Sequence, residues 1–200
     1  MDLDQSNHTL RLFVAIEVPE AIRKEIQRLQ SRLQSLASGG PIKWTPQEQL
    51  HLTLRFLGAV QRGHLEDLTR CLESACRQFS PLELVAANVG FFPENRSPRV
   101  IWLGVSCLQG QLAPLADAVQ ASSLEYTNEA PLGQFVAHIT LGRIKRLDSG
   151  EASNLVRFAA IRPSVVLGPW IAREVLLMQS QLSALGACHS KVGSFSLCGG

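Results

Sequence analysis

The chain has 200 residues, 46% of them hydrophobic and 18% charged, with a mean hydropathy of +0.08. That is ample material for one compact domain and excludes the low-hydrophobicity, high-charge signature of disorder. Nineteen Lys and Arg against 17 Asp and Glu leave a formal charge of +2, which excludes the basic blanket of a non-specific duplex binder and makes any nucleic-acid contact local.

Five cysteines, Cys71, Cys76, Cys107, Cys188 and Cys198, show no CxxC spacing. They fit neither a disulfide framework nor a zinc site and are expected to be reduced and mostly buried. The acidic start Met1-Asp2-Leu3-Asp4 lacks a signal-type apolar run, and no segment approaches the ~20 apolar residues of a membrane span. A cytoplasmic protein without membrane contact is expected, with residues 1–9 as a flexible N-terminal extension.

Residues 10–17 alternate as a strand with one apolar face (Leu10, Leu12, Val14, Ile16), closed by Pro19. From Glu20 to about Ala37 the apolar positions Ile22, Ile26, Leu29, Leu33 and Leu36 recur at helical spacing, and Ser38-Gly39-Gly40-Pro41 ends the helix. Thr45-Pro46-Gln47-Glu48 reads as a capping box for one short helical turn. The strand after it, Leu50 to Leu57, is expected to put Leu50, Leu52, Leu54 and Phe56 on one face and His51, Thr53 and Arg55 on the other.

Residues 64–79 form a second helix by the same periodicity, followed by strands at 82–89 and 99–106. A third helix spans about 109–124, its regular part beginning near 113 because of Pro114. A strand at 136–142 follows, then a short helix opened by Asp148 and Glu151 and running through Ile161, and strands at 164–168, 173–181 and 192–198. Consecutive strands break strict βαβ alternation twice, which points to an α+β fold with mostly antiparallel sheets.

One pattern occurs twice, on two of these strands: His51-Leu52-Thr53-Leu54 and His138-Ile139-Thr140-Leu141. From the chain's composition a single H-x-T-L is expected about 0.02 times by chance. Strand alternation puts each imidazole and its hydroxyl on one face, two residues apart, with the intervening apolar residue pointing to the core. Two such pairs facing each other suit phosphodiester hydrolysis. One imidazole can take a proton from water and the other give one to the leaving oxygen, while hydroxyls and an arginine hold the charged oxygens. Neither motif has H-x-H or H-x-x-x-H ligand spacing, so no metal is called for; there is also no G-x-S-x-G elbow.

The paired motifs, the opening Arg11-Leu12-Phe13-Val14-Ala15-Ile16, the run Lys43-Trp44-Thr45-Pro46 leading into Leu50-His51-Leu52-Thr53-Leu54-Arg55-Phe56-Leu57-Gly58, and His138-Ile139-Thr140-Leu141-Gly142-Arg143 together resemble the RNA 2′,3′-cyclic phosphodiesterases, or 2′-5′ RNA ligases, of the 2H phosphoesterase superfamily. The resemblance runs from about residue 10 to about residue 197 and departs at Ala137, where the family often has proline. It implies a single bilobal α+β domain over residues 1–200, two mostly antiparallel sheets with outer helices related by a pseudo-two-fold, and an active site in the cleft between them.

It further implies that His51 is the general acid on the ribose leaving oxygen, that His138 is the general base on water, and that Thr53, Thr140 and Arg143 hold the phosphate. The implied substrate is an RNA end or nucleotide bearing a 2′,3′-cyclic phosphate, opened to a 2′-phosphomonoester without cofactor or metal by a monomer, with 2′-5′ ligation as the reverse reaction. A different class, a non-catalytic module binding RNA ends in the same cleft, would have no need of two proton-transfer groups.

Simple parity puts Arg143 on the wrong face, so its role requires a bulge near Gly142. Arg55 has the right parity for a second cation or is a solvated surface charge. Lys43-Trp44, Phe91-Phe92 and the Arg96/Arg99 pair are candidates for nucleotide recognition, each equally readable as core or solvated loop. Trp102 and Trp170 are expected in the core, and His8, His64 and His189 on the surface.

Overall fold

The structure, a computed structural model, describes residues 9–36, 42–93, 98–130, 133–145, 165–183 and 186–199. In chain order its elements are β1 (Thr9–Glu17), α1 (Glu20–Leu36), β2 (Ile42–Trp44), β3 (His51–Gln61), α2 (Leu65–Cys76), β4 (Leu82–Phe92), β5 (Val100–Cys107), α3 (Leu112–Ser123), β6 (His138–Ile144), β7 (Val166–Ala172), β8 (Glu174–Ser183) and β9 (Gly186–Ser196). The expected helix from Asp148 to Ile161, Arg96 and residues 1–8 lie outside the described residues, and Thr9 already belongs to β1.

Every pairing is antiparallel, in the order β7-β4-β5-β6-β3-β1-β8-β9, with β2 added on β6. The expected two sheets are therefore two four-stranded halves of one curled sheet. Their junction is narrow: β3 and β6 meet through the single pair Leu52↔Ile139. Around it the halves repeat, since β1-α1-β3 and β5-α3-β6 each place a strand beside the motif strand it precedes.

The apolar stripe of α1 (Ile22, Ile26, Leu29, Leu33), that of α2 (Leu68, Leu72) and that of α3 (Leu112, Leu115, Val119) join the inward residues of the strands in one core. Pro114 falls in the first turn of α3, where the missing N–H costs no helical bond. The turn at Gln47–Gln49 is a 3₁₀ helix whose N-cap is Pro46, with no side-chain cap, so Thr45 does not close the expected capping box. β7 runs unbroken through Gly168-Pro169 because it is an edge strand that shifts register against β4 between Leu84 and Ala86. Of the five free cysteines only Cys76 is buried; Cys188 and Cys198 are exposed, on the edge strand β9 and just beyond it.

Candidate active site

The pair Leu52↔Ile139 fixes the geometry of the two motifs. Carried one residue either way, this antiparallel register sets His51 opposite Thr140 and Thr53 opposite His138, all four on one face of the sheet. Leu52, Leu54, Ile139 and Leu141 are fully buried on the other. The two imidazoles thus lie on a diagonal, each beside the other motif's hydroxyl.

Each imidazole is held in the same way. His51 Nδ1 donates to Gln49 O at 2.7 Å, and His138 Nδ1 donates to Val136 O at 2.7 Å. A carbonyl can only accept, so each Nδ1 carries hydrogen and each Nε2 is left for chemistry. Two rings flank each histidine: Phe13 and His189 lie 4.9 and 5.4 Å from the His51 ring, and Phe92 and Trp102 lie 5.2 and 6.2 Å from the His138 ring. Gly90 is required here, because a Cβ would run into the Trp102 ring.

Beyond the motifs each strand bulges. Thr140 pairs with Trp102 and Gly142 with Ile101, leaving Leu141 out of the β5 ladder. Its carbonyl instead accepts from Thr45 N at 2.9 Å and Gln30 Nε2 at 2.8 Å. The bulge reverses parity, Gly142 turns inward and Arg143 reaches the cleft. A Cβ on Gly142 would stand 3.1 Å from both Ile42 Cγ2 and Trp44 Cε3, so glycine lets β2 approach.

On β3 the same device acts against β1: Val14 pairs with Arg55 and Ala15 with Thr53, skipping Leu54. Arg55 is therefore buried, 1% exposed, and Phe56, expected in the core, is 53% exposed. The Arg55 guanidinium donates to Gln120 Oε1 at 3.2 Å, Ala130 O at 2.9 Å and Glu129 O at 2.9 Å, so it is neither a cleft cation nor a solvated surface charge.

A cavity of about 590 Å³ lies over this face, lined among others by His51, Thr53, Phe56, Thr140, Arg143, Lys43 and His189. His138 is not among its lining residues; its ring packs against Phe92 and Trp102. Burial, more than the neighbouring His189 and His138, lowers the His51 pKa to about 4, against the hydrogen bond that His51 donates to the Gln49 carbonyl, which raises it. Among the described residues no group of three or more His, Cys, Asp or Glu is placed to hold a metal ion, and no helix is long and apolar enough to cross a membrane.

Of the nucleotide-recognition candidates, Lys43 and Phe92 stand at the site, whereas Phe91 is core. Trp170 is buried as expected, but Trp102 is half-buried beside His138. His189, expected on the surface, lines the cavity next to His51; Gln49 Nε2 donates to Ala187 O at 2.6 Å and ties β9 to the residue that holds His51. Nothing in the local sequence around His189 marks it, because the contact depends on the β1-β8-β9 pairing.

Comparison with known proteins agrees with this architecture. Residues 16–102 match the family model of LigT-like phosphoesterases. A curated RNA 2′,3′-cyclic phosphodiesterase of Archaeoglobus fulgidus is 32% identical over 93% of this chain and 99% of its own; one of Methanothermobacter thermautotrophicus is 28% identical over 94% and 99%. Among solved structures, TT0787 of Thermus thermophilus superposes with a TM-score of 0.77 at 27% identity, covering 95% of this chain and 99% of the other. The structure of E. coli LigT complexed with phosphate gives 0.66 at 25%, covering 96% and 99%. The chain belongs to the LigT-like phosphoesterase family. Curated members of that family carry the name RNA 2′,3′-cyclic phosphodiesterase.

Proposed function

We propose that this chain opens the terminal 2′,3′-cyclic phosphate of RNA to a 2′-phosphomonoester, with His51 as general acid and His138 as general base. The observation that carries the reading is the Leu52↔Ile139 pair, which sets two imidazoles with free Nε2 atoms diagonally on one face. Relatives named for this activity match over nearly the whole chain, and the E. coli relative takes a phosphate ion.

In the step, His138 Nε2 takes a proton from water as the water oxygen bonds to phosphorus. His51 Nε2–H gives a proton to the 3′-oxygen as its bond to phosphorus breaks. Thr53, Thr140 and Arg143 donate to the non-bridging oxygens, where charge accumulates. Burial holds His51 neutral at pH 7. A phosphodiester anion between the imidazoles favours the imidazolium, so the acid's proton is acquired together with substrate.

Both motif imidazoles are assigned to proton transfer, which leaves neither as a metal ligand, so the reaction is read as metal-free. Ligation is the same step reversed, a 5′-hydroxyl attacking the cyclic phosphate, and water outcompetes it unless the second RNA end is oriented. The test is hydrolysis of an oligoribonucleotide ending in 2′,3′-cyclic phosphate with EDTA present. A 2′-phosphate product is expected; loss of turnover on chelation with recovery on adding a divalent ion would overturn the metal-free reading.

A further inference from the structure

Lys43 and Arg143 stand directly opposite each other in the β2–β6 ladder, so both side chains leave the sheet on the same face, and both line the cavity over the motif face. Like charges directly across an antiparallel pair repel. Several surface cations have a carboxylate partner: Arg23 pairs with Glu17, Lys24 with Glu20, Arg28 with Glu25, Arg70 with Asp67 and Arg77 with Glu73. Among the described residues Lys43 and Arg143 have no such partner.

The position of this pair is equally specific. β2 continues along β6 in the slot that β3 occupies nearer His51, so the cation row follows the Thr140–His51 row along the cleft floor. The cavity's other cation, Arg11, stands at the opposite end of β3, across from Ala59; there the carboxylate of Glu129 covers Gly58. The Lys43 end carries no acidic lining residue. Two phosphates of one chain would relieve the repulsion that the fold leaves unrelieved.

Resting on the function proposed above, we infer that Lys43 forms a second anion subsite beside Arg143, taking the backbone phosphate on the 5′ side of the terminal nucleotide while Arg143 holds the reacting phosphate. The site is then built for RNA chains in preference to isolated cyclic nucleotides.

The test compares a 2′,3′-cyclic mononucleotide with a short oligoribonucleotide ending in 2′,3′-cyclic phosphate, for wild type, Lys43→Gln and Lys43→Arg. Lys43→Gln is expected to lower kcat/KM for the oligonucleotide about tenfold, through KM, and for the mononucleotide by less than about threefold. Lys43→Arg keeps most of the oligonucleotide activity, and Lys43→Gln flattens the salt dependence by about one phosphate contact, roughly 0.7 in log–log slope. Equal losses on both substrates would place Lys43 at the reacting phosphate, and no loss on either would remove the subsite; each overturns the inference.

Binding of the same oligonucleotide carrying a 2′-phosphate, read by fluorescence anisotropy, separates the two readings. If wild type turns over neither substrate, the proposed function fails. The subsite is still supported by binding about tenfold weaker in Lys43→Gln than in wild type, and overturned by equal binding.

Discussion

Phe56 and Arg143 occupy the same place in the two halves of the sheet: each is the fifth residue after its motif histidine, and each returns to the cleft face because the motif leucine drops out of the neighbouring ladder. The residue before each, Arg55 in one half and Gly142 in the other, is thereby turned inward. Imidazoles and hydroxyls repeat across the junction, while an exposed ring on one side answers a cation on the other. A pseudo-symmetric cleft so acquires an apolar flank and an anion-binding flank.

The two arginines next to these bulges are expected to fail differently when replaced. Arg143→Gln should weaken inhibition by inorganic phosphate roughly tenfold or more, as expected for loss of a charge-assisted contact, with little change in the urea midpoint. Arg55→Ala should leave phosphate inhibition near wild type and cost about 2–4 kcal/mol, because the carbonyls of Glu129 and Ala130 lose their buried donors and a core-sized side chain is removed. Equal phosphate affinity in wild type and Arg143→Gln would remove Arg143 from the anion site.

For the histidines, His51→Ala and His138→Ala are each expected to lower kcat by about 10²–10⁴ while far-UV circular dichroism stays native, the loss typical of a general acid or base. Because the roles form one relay across a single phosphorus, the double variant should be little worse than the poorer single one. Near-normal turnover in either single variant contradicts the two-imidazole mechanism.

Much of this was legible in the chain because the motif strands obey period two up to their leucines: His51, Thr53, His138 and Thr140 are on the face that alternation predicts. Parity failed where a bulge intervened. Arg143 needed one and has it; Arg55 and Phe56 exchanged faces because no local signal announces that Leu54 leaves the β1 ladder. β2 was missed for another reason: three residues bounded by loops carry no periodicity, and the strand exists because the freed carbonyl of Leu141 and the bare Cα of Gly142 give it an edge to join. His189 and Trp102 were misplaced because their surroundings are set by strands distant in sequence, β1 and β8 for the one, β4 and β6 for the other.

Gly142→Ala probes how tightly β2 controls the site. The added methyl meets Ile42 and Trp44 at 3.1 Å, on a strand that also carries Lys43. The cost in stability is expected at about 1–3 kcal/mol, the range for overpacking. Displacement of Arg143 should raise KM for the cyclic-phosphate substrate several-fold beyond what a destabilised but unshifted site would show at low temperature. Wild-type KM with reduced stability would mean that β2 yields and Arg143 does not move.

The depressed proton affinity of His51 predicts how stability depends on pH. With the ordinary value near 6.5 in the unfolded chain and about 4 in the folded one, the unfolded state binds more protons throughout that window. Stability therefore rises with pH between the two values and falls as the solution is acidified through them. A shift of this size corresponds to about 3 kcal/mol, fully lost only below about pH 4. Burial lowers His189 in the same direction, so it adds to the slope and does not oppose it. Urea midpoints measured from about pH 7 down to about pH 4 should drop steeply for the wild type and clearly less for His51→Asn, which keeps a polar side chain but has nothing to titrate. Inorganic phosphate should flatten the wild-type curve, because an anion beside His51 restores its proton affinity in the folded state. Identical slopes for wild type and His51→Asn would show that the imidazole is not held neutral by its burial.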